Sequence, residues 1–136
     1  MTEVHVFPLR VYYEDTDAGG IVYYANYLKF AERARTEMLR GLGIESGCLL
    51  NKENILLTEK NCQVDYRKSA YLDDPLEVHS VITHVGGASL CGEQKIKCRG
   101  VELVNINIKL ACITSYGKIA RLPIKLRSKF KTICLT

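Results

Sequence analysis

The sequence predicts an α+β domain in which one long helix packs on one face of an antiparallel sheet of about five strands. Residues 25–43 repeat apolar side chains at three- and four-residue steps, which is the period of an amphipathic helix. Residues 55–116 instead alternate by two, which indicates a succession of half-buried strands. With 136 residues, 47% of them hydrophobic, and no low-complexity tract, residues 1–136 are predicted to form a single domain.

The first two elements are a strand and the long helix. Residues 4–13 alternate loosely and contain Pro8, which cannot donate to a β-ladder, so we expect an edge strand there. The helix over 25–43 is rich in the strong helix formers Ala, Leu, Glu, Arg and Met. Its start has two alternatives, because Asn26 can cap it or the first turn can begin near Tyr24. The predicted apolar stripe comprises Leu28, Ala31, Ala34 or Arg35, Met38 and Leu42.

Four longer strands follow a predicted loop over 44–53. These strands are expected at 55–70, 76–85, 89–99 and 101–116. Only Gly100 separates the last two, and so short a connection requires antiparallel neighbours. Pro123 favours a final short helix over 123–131, since proline suits the first helical position. One long helix covers one face of such a sheet, so solvent or a second copy of the chain must cover the other face.

Composition excludes several classes of protein. No apolar run approaches the ~18–20 residues of a membrane span, so no transmembrane segment is predicted. The first ten residues lack the apolar core of a secretory signal, which favours a cytoplasmic location. None of the 6 cysteines forms a CxxC pair or a zinc-like spacing with the 3 histidines. We therefore expect reduced thiols and no metal site.

The net charge of +4 is concentrated near the end of the chain, where residues 118–131 contain six bases and no acid. Such a segment suits an anionic partner, although a solvated helix face explains it as well. Phe130 is the single aromatic residue among these bases, so nucleic acid is not a predicted partner.

An acidic turn precedes the long helix. Residues 14–17 carry three carboxylates, and the glycine pair Gly19-Gly20 follows after Ala18. Glycines allow a tight turn that brings the backbone close to a ligand, and a helix N-terminus offers unpaired N–H groups with partial positive charge. A carboxylate opposite those groups can activate water for attack on a carbonyl carbon. An ordinary solvated turn and a divalent-metal site remain as alternatives, although no third convergent ligand is evident.

This region carries a specific resemblance. Residues 10–44, RVYYEDTDAGGIVYYANYLKFAERARTEMLRGLGI, closely resemble the YbgC type of acyl-CoA thioesterase, a group associated with the bacterial Tol–Pal system. This group belongs to the 4-hydroxybenzoyl-CoA thioesterase family of hotdog folds. Residues 64–78 and the pair Ser89-Leu90 also resemble the family, and the order of predicted elements fits it over nearly the full length. The resemblance implies that the predicted helix and sheet form a hotdog fold.

The resemblance also implies two catalytic positions. In this family the second acid of a D-x-D motif is catalytic, which corresponds to Asp17. Asp17 either attacks the thioester carbon or deprotonates a water, and both alternatives stay open. The backbone N–H near the helix start, at about Tyr24, polarises the thioester carbonyl. The subgroup often has a histidine at that position, so Tyr24 removes one candidate acid–base side chain.

Four further residues are candidates for substrate binding. Gly20 allows the backbone to approach the ligand closely. Ser89 corresponds to a strand position that lies near the acyl group in the family. Arg67 and Lys68, with some of the bases near the end of the chain, are candidates to meet the phosphates of coenzyme A.

The resemblance implies an acyl-CoA thioesterase that acts on short- or medium-chain thioesters without a metal or organic cofactor. It also implies homo-oligomers, dimers usually paired into tetramers, with the sites at the dimer interface. One rival is a dehydratase on the same fold, although that chemistry needs a histidine with an acid and no histidine lies near the helix start. The other rival is a protein that binds acyl carrier protein or an envelope-assembly partner through the basic segment.

Overall fold

The computed structural model describes residues 4–134, which form one antiparallel sheet with a long helix on one face. The strands are β1 His5–Arg10, β2 Ile55–Tyr66, β3 Pro75–Val85, β4 Ser89–Cys98 and β5 Val101–Thr114. The helices are α1 Asn26–Gly41, the short α2 Ser46–Cys48 and α3 Ile124–Ile133. The predicted order of a strand, a long helix, four strands and a short helix is confirmed.

The sheet has the strand order β1-β3-β4-β5-β2, so β1 and β2 are its edges. Every neighbouring pair is antiparallel. At one end of the sheet Tyr66 of β2 lies opposite Val104 of β5, which lies opposite Ile96 of β4. Towards the other end Ser89 of β4 lies opposite Ala111 of β5. This register decides which residues share an end of the sheet.

Helix α1 buries its apolar face against the sheet. Phe30, Ala31 and Ala34 are almost fully inaccessible and recur at the helical spacing of the predicted stripe. Burial of a side chain as large as that of Phe30 contributes roughly 1.5–3 kcal/mol to stability. The predicted stripe was wrong at its start, because Leu28 is 40% exposed and Tyr27, only 3% exposed, faces the core instead. Periodicity favoured leucine over tyrosine there, but the tyrosine hydroxyl has a backbone partner inside the protein.

The segment predicted as a loop over 44–53 is partly helical. Helix α2 leads directly into a π-helical turn over Leu49–Glu53. Asn54 ends this turn in the left-handed conformation, with φ at 55°. Asparagine tolerates that conformation because its short polar side chain bonds locally.

Strand β2 ends at Tyr66, four residues before the predicted end. The next two backbone N–H groups, those of Arg67 and Lys68, both donate to the carbonyl of Leu103, at 2.8 and 3.1 Å. Two donors on one carbonyl break the regular ladder, so the chain turns away from β5 at this point.

The final helix α3 packs its apolar side chains inward. Leu126, Phe130 and Ile133 are buried at helical spacing. Pro123, predicted as the first helical residue, is instead the N-cap that precedes the helix. Among the helices of residues 4–134, none combines the length and the apolar character needed to cross a membrane.

Candidate active site

The acidic turn closes into a narrow loop between β1 and α1. The carbonyl of Asp15 accepts a hydrogen bond from the N–H of Tyr23 at 2.9 Å, and Thr16 forms an antiparallel bridge with Val22. The N–H of Asp17 donates to the carbonyl of Ile21 at 2.9 Å. These backbone bonds hold Asp17 near the tip of the loop, beside the start of the helix.

The carboxylate of Asp17 is exposed and its orientation is partly fixed. Its Oδ1 accepts the N–H of Gly19 at 2.8 Å, while its Oδ2 has no hydrogen-bond partner within residues 4–134. Gly20 adopts φ at 82°, a conformation that residues with side chains rarely occupy. Within residues 4–134, no heavy atom lies within 4 Å of the Cβ that Gly20 lacks, so this glycine is required by its backbone angle rather than by crowding.

Helix α1 begins at Asn26 and its N-cap residue is Ala25, without a side-chain cap. The predicted capping role of Asn26 was therefore wrong, because the Asn26 side chain instead donates to the carbonyl of Asp15 at 2.8 Å. Among the hydrogen bonds of residues 4–134, none uses the backbone N–H of Tyr24, which precedes the helix. An unpaired N–H beside a helix N-terminus is a suitable donor to an oxygen that gains negative charge.

A cleft of about 280 Å³ lies at this helix start. The side chains that line it come from the acidic loop, from α1 and from the end of β2, and include Asp17, Tyr24, Tyr27, Tyr66, Arg67 and Lys68. The structure thus brings four of the predicted site residues to one cleft. A larger cleft of about 360 Å³ lies between α1 and β2, but it contains none of the predicted site residues.

Three tyrosines form one wall of the cleft. The ring of Tyr66 meets that of Tyr24 edge-on at 6.1 Å between centroids and lies 5.9 Å from that of Tyr27. The Tyr66 hydroxyl donates a long hydrogen bond, 3.3 Å, to the carbonyl of Tyr24. Burial raises the pKa of both Tyr27 and Tyr66, so both hydroxyls stay protonated at neutral pH.

The comparisons with known proteins agree with one another. The sequence pattern of the Thioesterase superfamily matches residues 19–105. Acyl-CoA thioesterase YbgC of Haemophilus influenzae is 45% identical over 107 residues, which cover 79% of this chain and 79% of that protein. Acyl-CoA thioester hydrolase YbgC of Escherichia coli O6:H1 is 39% identical over 132 residues, which cover 96% and 98% respectively. The crystal structure of a probable thioesterase from Bartonella henselae matches with a TM-score of 0.86 at 34% identity, and the match covers 89% of this chain and 100% of that one.

The chain belongs to the Thioesterase superfamily. The predicted family, the hotdog fold and the class of thioester hydrolases are thereby confirmed. A protein from Thermus thermophilus, with a TM-score of 0.91 at 19% identity over 98% of this chain, supports the fold alone. The superfamily match begins two residues after Asp17, so it does not cover this carboxylate.

The two predicted phosphate-binding residues of this thioesterase-superfamily chain differ in their surroundings. Arg67 lies 2.6 Å from Glu102 and 3.1 Å from Asp65 through its guanidinium nitrogens, so two carboxylates already compensate its charge. Lys68 is exposed and forms no ion pair within residues 4–134. Lys68 is therefore the cation of this cleft that is available to an anionic ligand.

Ser89 does not join the cleft within one chain. It pairs with Ala111, whereas Tyr66 of the cleft pairs with Val104, seven residues away along β5. At about 3.4 Å per residue this separation is about 24 Å. Within one chain, Ser89 therefore lies towards the opposite end of the sheet from this cleft.

Sequence patterns did not predict the contacts of two residues, Tyr66 in the cleft and Asn26 beside it. Tyr66 was predicted only as a strand residue. Residues two apart in a strand share a face, so Tyr66 lies with Val64 on the face of the sheet that α1 covers. Asn26 was predicted only as a possible cap of α1.

No group of three or more His, Cys, Asp or Glu side chains within residues 4–134 is arranged to hold a metal ion.

Proposed function

We propose that the protein is a cytoplasmic acyl-CoA thioesterase that hydrolyses a short- or medium-chain acyl-CoA to the free acid and coenzyme A. The observation that carries this proposal is that Asp17 and Tyr24 line one cleft at the start of α1, and that the Tyr24 N–H has no hydrogen-bond partner within residues 4–134. The YbgC relatives bear the names of an acyl-CoA thioesterase and an acyl-CoA thioester hydrolase, which supports the same substrate class.

In the proposed reaction the thioester carbonyl oxygen points at the N–H of Tyr24. The helix N-terminus stabilises the negative charge that develops on this oxygen, and loss of one such donor typically costs roughly 3 kcal/mol of transition-state stabilisation. Asp17 takes a proton from a water as that water attacks the carbonyl carbon, or its carboxylate attacks first and forms an anhydride that water then cleaves. The carbon–sulfur bond breaks and coenzyme A leaves as a thiolate.

The leaving group explains why a tyrosine at position 24 is compatible with this chemistry. Thiols have pKa values near ~8.5, so a thiolate departs without a dedicated general acid. The histidine that often occupies this position in the family is then not required for turnover. The backbone of Tyr24, not its hydroxyl, performs the proposed role.

We place the phosphates of coenzyme A near Lys68, with Arg67 contributing only if a phosphate displaces one of its carboxylate partners. Because Gly20 has no side chain, a ligand can approach the backbone at the turn of the acidic loop. Both assignments follow from where these residues lie on the cleft or beside it.

We further propose that the active form is a homo-oligomer, a dimer or a pair of dimers. Strand β2 is an edge strand of 12 residues whose second half is largely exposed, and an unpaired edge of this length readily pairs with another chain. The cleft lies at the end of this edge, so a second copy on β2 would enclose it. Such an arrangement would also allow Ser89 to reach the site from the other copy.

A thiol-release assay tests the proposed function. Wild type and Asp17→Asn are incubated with acyl-CoA thioesters of increasing chain length and with an aromatic acyl-CoA. We expect wild type to release coenzyme A from short- or medium-chain substrates and Asp17→Asn to be slower by about 10²-fold or more. A mutant as fast as wild type would remove Asp17 from the mechanism. Hydration of an unsaturated acyl-CoA without thiol release would favour the dehydratase instead.

A second candidate, docking of an acidic partner such as acyl carrier protein, is favoured by the basic segment over 118–131. Lys118, Lys125 and Lys131 are exposed, whereas Arg127 and Lys129 donate to the backbone carbonyls of Gly86 and Leu42. Charge reversal should therefore be made at Lys118, Lys125 and Lys131, whose side chains make no such hydrogen bond to the backbone within residues 4–134. Loss of partner capture with unchanged thiol release would support docking, and unchanged capture would exclude it.

A further inference from the structure

One buried amide connects the loop of Asp17 to the helix that follows it. Asn26 is only 9% exposed, and its Nδ2 donates to the carbonyl oxygen of Asp15 at 2.8 Å. The same oxygen accepts the N–H of Tyr23 at 2.9 Å. This single carbonyl thus receives two donors from the segment that leads into α1.

The two donors flank the residue proposed to bind the oxyanion. Tyr23 precedes Tyr24 and Asn26 follows it by two positions, so the backbone on both sides of Tyr24 is anchored to one atom. On the other side of the loop, Asp15 is only two residues from Asp17. The Asp15 carbonyl therefore connects a residue close to the Asp17 carboxylate with both sides of Tyr24 at the helix start.

Asp15 is itself fixed by its side chain. Its carboxylate Oδ2 accepts the N–H of Tyr12 at 2.8 Å, and the residue is only 9% exposed. The Asp15 carbonyl therefore stays in place if the Asn26 side chain moves, because the bond from Tyr12 holds Asp15. Without the Asn26 bond, the helix start would keep only the Tyr23 N–H as its link to Asp15.

We propose that Asn26 is a positioning residue for thioester hydrolysis, which sets the separation between the Asp17 carboxylate and the Tyr24 N–H by holding the Asp15 carbonyl. This inference rests on the proposed function of the cleft. It assigns Asn26 no contact with the substrate, so its effect must appear in the rate of the chemical step. A misplacement of reacting groups by about 1 Å can cost 10²-fold in rate.

The test compares Asn26→Leu with a matched variant, Gln94→Leu. Gln94 is a second buried amide, 2% exposed, whose Nε2 donates to the carbonyl of Ala31 in α1 at 2.9 Å and to the Ser80 hydroxyl at 3.0 Å. Both substitutions remove a buried amide donor from a backbone carbonyl, but Gln94 does not line the cleft. We expect kcat to fall about 30-fold or more in Asn26→Leu, with KM changed less than about threefold. In Gln94→Leu we expect kcat within about threefold of wild type, even where its urea midpoint is lowered.

Asn26→Asp provides the second variant. Aspartate preserves the shape of the side chain and suits the first turn of a helix, and urea unfolding checks that this variant folds. Its carboxylate cannot donate to the Asp15 carbonyl, so kcat should fall at least as far as in Asn26→Leu.

The outcomes separate this inference from the proposed function. If wild type is active and Asp17→Asn is not, but both Asn26 variants keep kcat within about threefold, the positioning role is excluded and the function stands. Equal losses of kcat in Asn26→Leu and Gln94→Leu would also exclude it, because a general packing defect would then explain both. A wild type that releases no thiol from any acyl-CoA would overturn the function and this inference together.

Discussion

The Asp17 carboxylate accepts the N–H of Gly19, and the Cβ that Gly19 lacks would lie 3.2 Å from the same carboxylate oxygen. Gly19 therefore orients the carboxylate of Asp17 through its N–H, and its lack of a side chain leaves space for that carboxylate. A methyl group at position 19 would press on the end of the Asp17 side chain, which can rotate away without disturbing the fold.

Gly19→Ala should therefore impair activity more than stability. We expect kcat to fall by several-fold up to about tenfold, while the free energy of unfolding stays within about 0.5 kcal/mol of wild type. Thiol release and urea unfolding measure the two quantities. Gly47→Ala is the control, because no heavy atom lies within 4 Å of its missing Cβ and it does not line the cleft. Wild-type kcat in Gly19→Ala would contradict the assigned orientation of Asp17.

Tyr66→Phe removes only the hydroxyl that donates to the Tyr24 carbonyl at 3.3 Å. Because this bond is long, we expect a modest fall in kcat, about two- to fivefold. Tyr66→Leu should lose more, since it also removes the ring contacts with Tyr24 and Tyr27. Tyr116→Phe, at a residue 87% exposed, serves as the control. Equal activity in all three variants would show that this wall of the cleft does not influence the reaction.

Tyr27→Phe should destabilise the protein. The Tyr27 hydroxyl accepts the N–H of Ala70 at 2.9 Å, and Ala70 is fully buried. Phenylalanine preserves the packing but leaves that N–H without a partner, which costs about 1–3 kcal/mol. The free energy of unfolding in urea measures the loss. A change below 0.5 kcal/mol, within the usual range of a surface substitution, would mean that water replaces the hydroxyl.

Stability should fall at alkaline pH, in part through the same tyrosine. Burial is the main cause of the raised pKa of Tyr27 in the folded protein, whereas in the unfolded chain its pKa is near ~10. The unfolded state therefore loses this proton first, so stability is unaffected below about pH 10 and decreases as the pH rises towards the folded-state pKa. Urea midpoints measured from pH 8 to 11 should decline less steeply in Tyr27→Phe than in wild type. Parallel slopes in the two proteins would contradict the assignment.

Local patterns predicted most of the fold. The three- and four-residue steps of α1 and the alternation of β3, β4 and β5 each report a buried face, which is a property of neighbouring residues. The same patterns failed where tertiary contacts decided the outcome. Leu28 turned outward and Tyr27 inward because the Tyr27 hydroxyl bonds to Ala70, a residue that is distant in the sequence.

The candidate site was predictable in part. A carboxylate, a glycine pair and a helix start occur together within eleven residues, so Asp17, Gly20 and Tyr24 were recognisable from the sequence and its family resemblance. Their partners were not, because the position of Tyr66 in the cleft depends on the register of β2 against β5. The carboxylate partners of Arg67 likewise include Glu102, which lies on a different strand.

The sequence by itself thus determined the fold class and the acid beside the helix, because both follow from short-range spacing of residue types. It determined the family through its resemblance over residues 10–44. The tertiary structure decided that Tyr66 joins Asp17 at one cleft, that Ser89 lies at the other end of the sheet, and that Asn26 bonds to Asp15 rather than capping its own helix. The physical reason is that hydrogen-bond partners and strand register are chosen by packing between distant segments, whereas periodicity reports only which face of each segment is buried.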